Sequence, residues 1–193
     1  MNAVTRAQAA ATAACAFLLL LAAGCGRAAP GPAHVRGTWT WVATGHTVVC
    51  ATCQYRPISL GLGVVGGPNA TFHLGRAAAF RVAVSDIGPG PIDTDQPLAL
   101  PVEIASTAGG QSVWAGVLPA VPDHWSGDGS LSFAWNERDR DGRPVPAGSY
   151  LMELGLPLTI HYSIGGTAGQ ETLSGAGSAL SGEVFAVPFR LVR

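Results

Sequence analysis

Between residues 58 and 192, glycine and proline return so often that no stretch offers a helical apolar period free of them. Gly66-Gly67-Pro68-Asn69, Gly88-Pro89-Gly90-Pro91 and Gly109-Gly110 cut the chain into short runs. Proline cannot donate to a strand ladder, and glycine supplies the backbone angles of tight turns. The runs between them, at 58–65, 70–74, 79–85, 98–105 and 112–118, are therefore read as strands, with two more at 158–164 and 183–192. Many short strands at near-regular spacing predict an all-β sandwich or barrel in one domain.

The most informative stretch runs from 131 to 156. Leu131, Phe133 and Trp135 alternate with Ser132, Ala134 and Asn136, and Tyr150, Met152 and Leu154 alternate with Leu151 and Glu153. Each series is the period-two pattern of a strand with one buried face. The segment between them holds Gly142, Pro144, Pro146 and Gly148, so it is read as the turn of a hairpin, with Trp135 and Tyr150 facing the core on adjacent strands.

The order Trp135, Asp141-Gly142, Val145-Pro146-Ala147-Gly148-Ser149-Tyr150 resembles the closing hairpin of the BsuPI-type proteinase-inhibitor domain. A similar hairpin occurs in the Ig-like domain of flagellar-hook-cap proteins. Upstream, Gly110 to Trp114, with Val113-Trp114 at its end, is similar to the hairpin that precedes it in the inhibitor family. Earlier in the chain, the run 80–85 sits where that family has its v-x-v-x-N strand, with Ser85-Asp86 where asparagine is usual. The resemblance spans about 58–156 and implies an Ig-like antiparallel β-sandwich. The family name also implies a protease as a partner.

The N-terminus reads as a targeting segment. Arg6 precedes an apolar run, 9–23, that is shorter than the roughly 20 residues a membrane span requires. It ends Leu21-Ala22-Ala23-Gly24-Cys25, which resembles a bacterial lipobox and implies that the Cys25 thiol is diacylglycerated before 1–24 are removed. Stable anchoring needs more than one acyl chain. The expected partner is thus a lipid bilayer, and the expected location is the extracytoplasmic side of a bacterial envelope. Residues 25–36, rich in Pro, Gly and Ala, read as a flexible tether, and 37–193 as the folded domain. With Cys15 removed and Cys25 acylated, Cys50 and Cys53 remain, and an exported pair this close reads as a local disulfide closed by a turn. A metal or redox site at the same pair is the alternative. Residues 37–56 read as an N-terminal hairpin extension, with Trp39, Trp41 and Ala43 on one face and the tight turn at Thr44-Gly45.

The formal net charge is −1, and all eleven basic residues are arginine, so no electrostatic surface for nucleic acid is expected. Catalytic patterns are absent: the five histidines are dispersed, with no zinc-protease or nucleophile-elbow motif. Glu137, Asp139 and Asp141 imitate the start of a calcium loop, but Gly148 stands where its bidentate glutamate belongs. The expectation is a protein without catalytic activity, cofactor or metal, serving as an interaction module for an unknown protein or envelope component. A proteinase inhibitor is the second reading. Its candidate contact loop is 119–129, with Pro119, Asp123 and His124 at the surface and Trp125 as the anchor. The Gly/Ser-rich segment 165–182 reads as a mobile connection.

Overall fold

The structure, a computed structural model, describes residues 31–44, 57–88, 90–174 and 184–193. Cys25, Cys50, Cys53 and the turn residue Gly45 lie outside them. Among the described residues there is no helix. The first strands are β1 (Ala33–His34), β2 (Thr40–Val42), β3 (Ile58–Val64), β4 (Thr71–His73), β5 (Ala78–Asp86), β6 (Ile92–Thr94) and β7 (Pro101–Ser106). They are followed by β8 (Ser112–Val117), β9 (His124–Trp125), β10 (Asp128–Trp135), β11 (Gly148–Leu154), β12 (Leu158–Ile164), β13 (Thr167–Leu173) and β14 (Ala186–Val192).

These strands make three sheets, ordered β1-β8-β7-β11-β14-β4, β2-β10-β5-β3 and β13-β12-β6-β9. The first two pack face to face. In the lettering of Ig-like domains, β3-β5-β10 are strands A, B and E, and β8-β7-β11-β14 are C′, C, F and G. This is an Ig-like β-sandwich. The alternation in sequence becomes burial across the interface: Phe80 stacks on Phe133 within one sheet and meets Phe189 of the other edge-on at 5.1 Å. Trp135 meets Tyr150 and Phe189, both at 6.1 Å.

The stretch 131–156 is not a hairpin. Strand β10 pairs with β2 and β5, whereas β11 pairs with β7 and β14, so residues 136–147 cross from one sheet to the other. Trp135 and Tyr150 do face the core, but from opposite sheets. Period-two alternation specifies which face of a strand is buried. It does not say whether two such strands lie side by side or face each other. The Tyr150 hydroxyl donates to the Pro146 carbonyl at 2.7 Å, four residues upstream. That is the tyrosine corner of Ig-like domains, at the E–F crossover. Its burial raises the Tyr150 phenol above its ordinary pKa of 10.0.

Three further expectations are corrected. Residues 167–173, read as part of a mobile loop, form β13, which pairs with β12 throughout across the Gly165-Gly166 turn. Both turn glycines have positive φ, at 56° and 81°, and no Cβ to resist it. The N-terminal extension is no appendage, since β2 is an edge strand of the second sheet. Trp41 lies flat over Gly129 of β10, where a Cβ would come within 2.6 Å of the ring, and Trp39 donates its indole N–H to Pro119 O at 2.9 Å. The far part of the expected tether is held too, because Ala33–His34 pairs in parallel with β8.

Candidate functional site

The third sheet is built from connections. Strand β6 belongs to the B–C link, β9 to the C′–E link, and the β12–β13 hairpin to the F–G link. All three links leave the sandwich at the same end, because Asp86, Asp128, Val117, Pro101, Leu154 and Ala186 all lie there by pairing register. Ig-like domains carry their recognition loops at this end. Here those loops are stiffened by main-chain hydrogen bonds into a four-stranded sheet.

One face of that sheet is polar. Cross-strand register aligns His124 of β9, Asp93 of β6, Ser163 of β12 and Ala168 of β13 in one row. His124 Nδ1 and Asp93 Oδ1 are 2.6 Å apart, with both side chains more than half exposed. A pair so exposed contributes at most about 1 kcal/mol to stability. Ser163 lies beside the aspartate rather than beyond the histidine, so the row does not have the order of a nucleophile–base–carboxylate triad. The next row sets His161 against Gln170, and in the row after that Thr159 and Thr172 bring their hydroxyls within 3.1 Å.

Beside these rows lies an open groove of about 450 Å³. One wall is residues 94–99 and the other is residues 158–161 of β12. The groove exists because β6 pairs with β12 only over Tyr162–Ile164, after which the chain turns away so that Leu98 can bridge to Val121. Residues 158–161 are paired with β13 on one side. Among the described residues they have no backbone partner on the other.

The sequence-predicted loop 119–129 takes part in this end but not as an exposed arch. Asp123 O accepts the Thr94 N–H at 2.7 Å, and Val121 and Leu98 exchange two backbone bonds. Pro119 is half-buried and bonded to Trp39. Trp125 is only 3% exposed and lies against Trp41 at 6.4 Å, so it anchors β9 to the core and cannot reach into a protease cleft. Its alternation with exposed His124 is a strand pattern that two residues in a Gly/Pro-rich context could not reveal.

The motif residues of the family resemblance sit at the opposite end. Trp114 faces the core half-buried over Gly116, and Val113 O accepts the Arg140 N–H. Gly142 has φ 78°, and its N–H closes a turn onto Asp139 O. Gly148 opens β11 beside the Tyr150 ring. The acidic run does not converge as calcium ligands. Asp139 Oδ1 accepts the N–H groups of Asp141 and Arg143, and Asp141 pairs with Arg143 at 3.0 Å. Glu137 turns inward, 5% exposed, and accepts the Gly75 N–H at 2.6 Å. Among the described residues no three potential ligands group around a metal position.

No family model and no curated protein matches the chain. Among solved structures it is similar to the Pseudomonas fluorescens alkylpurine DNA glycosylase AlkC bound to DNA containing an abasic site analog. That match has 16% identity and a TM-score of 0.41 over 71% of this chain, which spans 31% of the glycosylase's length. It is also similar to a CARDB domain from Pyrococcus furiosus in complex with di-metal ions, at 13% identity and a TM-score of 0.31, over 77% of this chain and 100% of that domain. Against the expectation of a chain without catalytic activity stands the fact that the first of these neighbours is an enzyme. At such scores the likeness carries no argument for that enzyme's chemistry in this chain.

Proposed function

We propose that this chain is a lipid-anchored, extracytoplasmic Ig-like interaction module that holds a protein or envelope component against its third sheet. The observation that carries this reading is the convergence of the B–C, C′–E and F–G links at one end as a rigid, polar, grooved sheet. A preordered surface loses less entropy on binding than flexible loops would. The lipobox-like run ending at Cys25 supports the anchor. The resemblance to the BsuPI-type domain supports the fold portion of the proposal, since its closing motif, Trp135 to Tyr150, forms the E–F crossover and not the binding end. The inhibitor reading ranks behind it, because Trp125 is buried.

Two measurements test the proposal together. Cys25→Ala should abolish acyl-chain labelling and impair removal of 1–24, so that the mature lipoprotein is lost from the detergent phase. In intact cells, p-benzoylphenylalanine in place of His161 should crosslink a discrete partner, while the same probe in place of Arg81, on the outer face of the second sheet, should not. Unchanged labelling, processing and partitioning would remove the anchor. Equal crosslinking from both positions would remove the assignment of the binding face.

A further inference from the structure

We infer that the groove beside β12 accepts an extended peptide segment of a partner as an added strand. This deepens the proposed function by naming the ligand class, and it rests on that reading for the choice of binding end. In a strand, the N–H and C=O of one residue point to the same side, and those of the next residue to the other. Of residues 158–161, two therefore direct both groups toward β13 and two direct both into the groove. Tyr162–Ile164 continue the same edge, already filled by β6. The empty register is thus bounded by a formed ladder at one end, and it offers up to four main-chain hydrogen bonds in about 13 Å of strand. Unpaired strand edges of this kind are templates for another chain, and β-strand addition is an established mode of peptide recognition.

The walls specify the occupant's side chains. Buried Leu98 and Ile160 form the floor, so side chains of one phase meet apolar surface. Thr159 and His161 are exposed on the opposite face, and Asp95 at the rim is exposed, with no ion-pair partner among the described residues. The fitting segment alternates small apolar residues, pointing inward, with basic residues that meet Asp95. Backbone pairing supplies the affinity, and the alternate side chains supply the selection.

The test uses the full-length acylated protein in detergent micelles and a fluorescein-labelled octapeptide alternating valine and lysine, followed by fluorescence anisotropy. Saturable binding is expected. N-methylation of alternate peptide amides in one phase should weaken it by about tenfold or more, and in the other phase should leave it nearly unchanged, because only one phase donates to β12. Replacing lysine by glutamate should weaken binding, and Asp95→Asn should remove that preference. Ala99→Trp, at an exposed wall position, should block the groove. No saturable binding up to about 1 mM overturns the inference, since that lies at the weak limit of specific recognition. Equal binding by both N-methylated peptides, or undiminished binding to Ala99→Trp, overturns it as well. Crosslinking from position 161 that persists beside any of these failures would leave the interaction module standing and remove only strand addition.

Discussion

Glu137 offers a perturbation in which two sizeable effects oppose each other. It is the second residue of the E–F crossover, its φ is 59°, and it is buried to within 5% of full cover. One carboxylate oxygen accepts the Gly75 N–H at 2.6 Å, which ties the crossover to the turn between β4 and β5. The other is buried and has no hydrogen-bond partner. A hydrogen bond to a charged group contributes about 1.5–3 kcal/mol, reduced here by the desolvation of the unpaired oxygen. Left-handed backbone costs a residue other than glycine about 1–2 kcal/mol. Glu137→Ala removes the bond and keeps the strain, so a loss of about 1–2 kcal/mol is expected. Glu137→Gly removes both. Part of the relief is offset by the greater freedom of glycine in the unfolded chain, leaving it about 0.5–1 kcal/mol more stable than the alanine variant. Urea denaturation followed by tryptophan fluorescence resolves the order wild type, then Gly, then Ala. For a domain of this size each kcal/mol also moves Tm by about 2–4 °C. An alanine variant as stable as wild type would refute the bond's contribution, and a glycine variant no better than alanine would refute the strain.

Two other outcomes follow from the core. Trp135→Ala removes a ring that is 1% exposed and touches Tyr150 and Phe189, so calorimetry should show a loss of about 3–5 kcal/mol, while Ser132→Ala on the outer face should stay within about 0.5. Near-equal melting of the two would mean the assigned faces are inverted. The Tyr150 phenol holds its proton more tightly folded than unfolded, so its contribution is fully present below pH 10 and is lost as pH rises through the higher folded value. Tyr150→Phe should cost about 1 kcal/mol at neutral pH, for the bond to Pro146, and should flatten the alkaline decline of stability. An identical alkaline decline in the variant would assign that loss to other groups.

The sequence by itself determined the all-β class, the positions of most sandwich strands and their buried faces, because Gly/Pro spacing and period-two alternation are local. Ile58, Leu60, Leu62 and Val64 could be assigned to the core by counting alone, and so could Leu131, Phe133 and Trp135. Only the tertiary structure decided which strands pair. The motif around Gly142 and Tyr150 reads equally as a hairpin or as a crossover, and the choice depends on β2, β5, β7 and β14 claiming the edges of β10 and β11. The third sheet was illegible for the same reason. Strands β6 and β9 are two or three residues long, within Gly/Pro-rich links, and carry no period of their own. They are strands because β12 and one another complete their hydrogen bonds. Asp93 and His124 lie 31 residues apart and acquire a relation only through that register. Likewise the groove is a gap left where β6 departs from β12, and a gap between distant segments leaves no mark on either one.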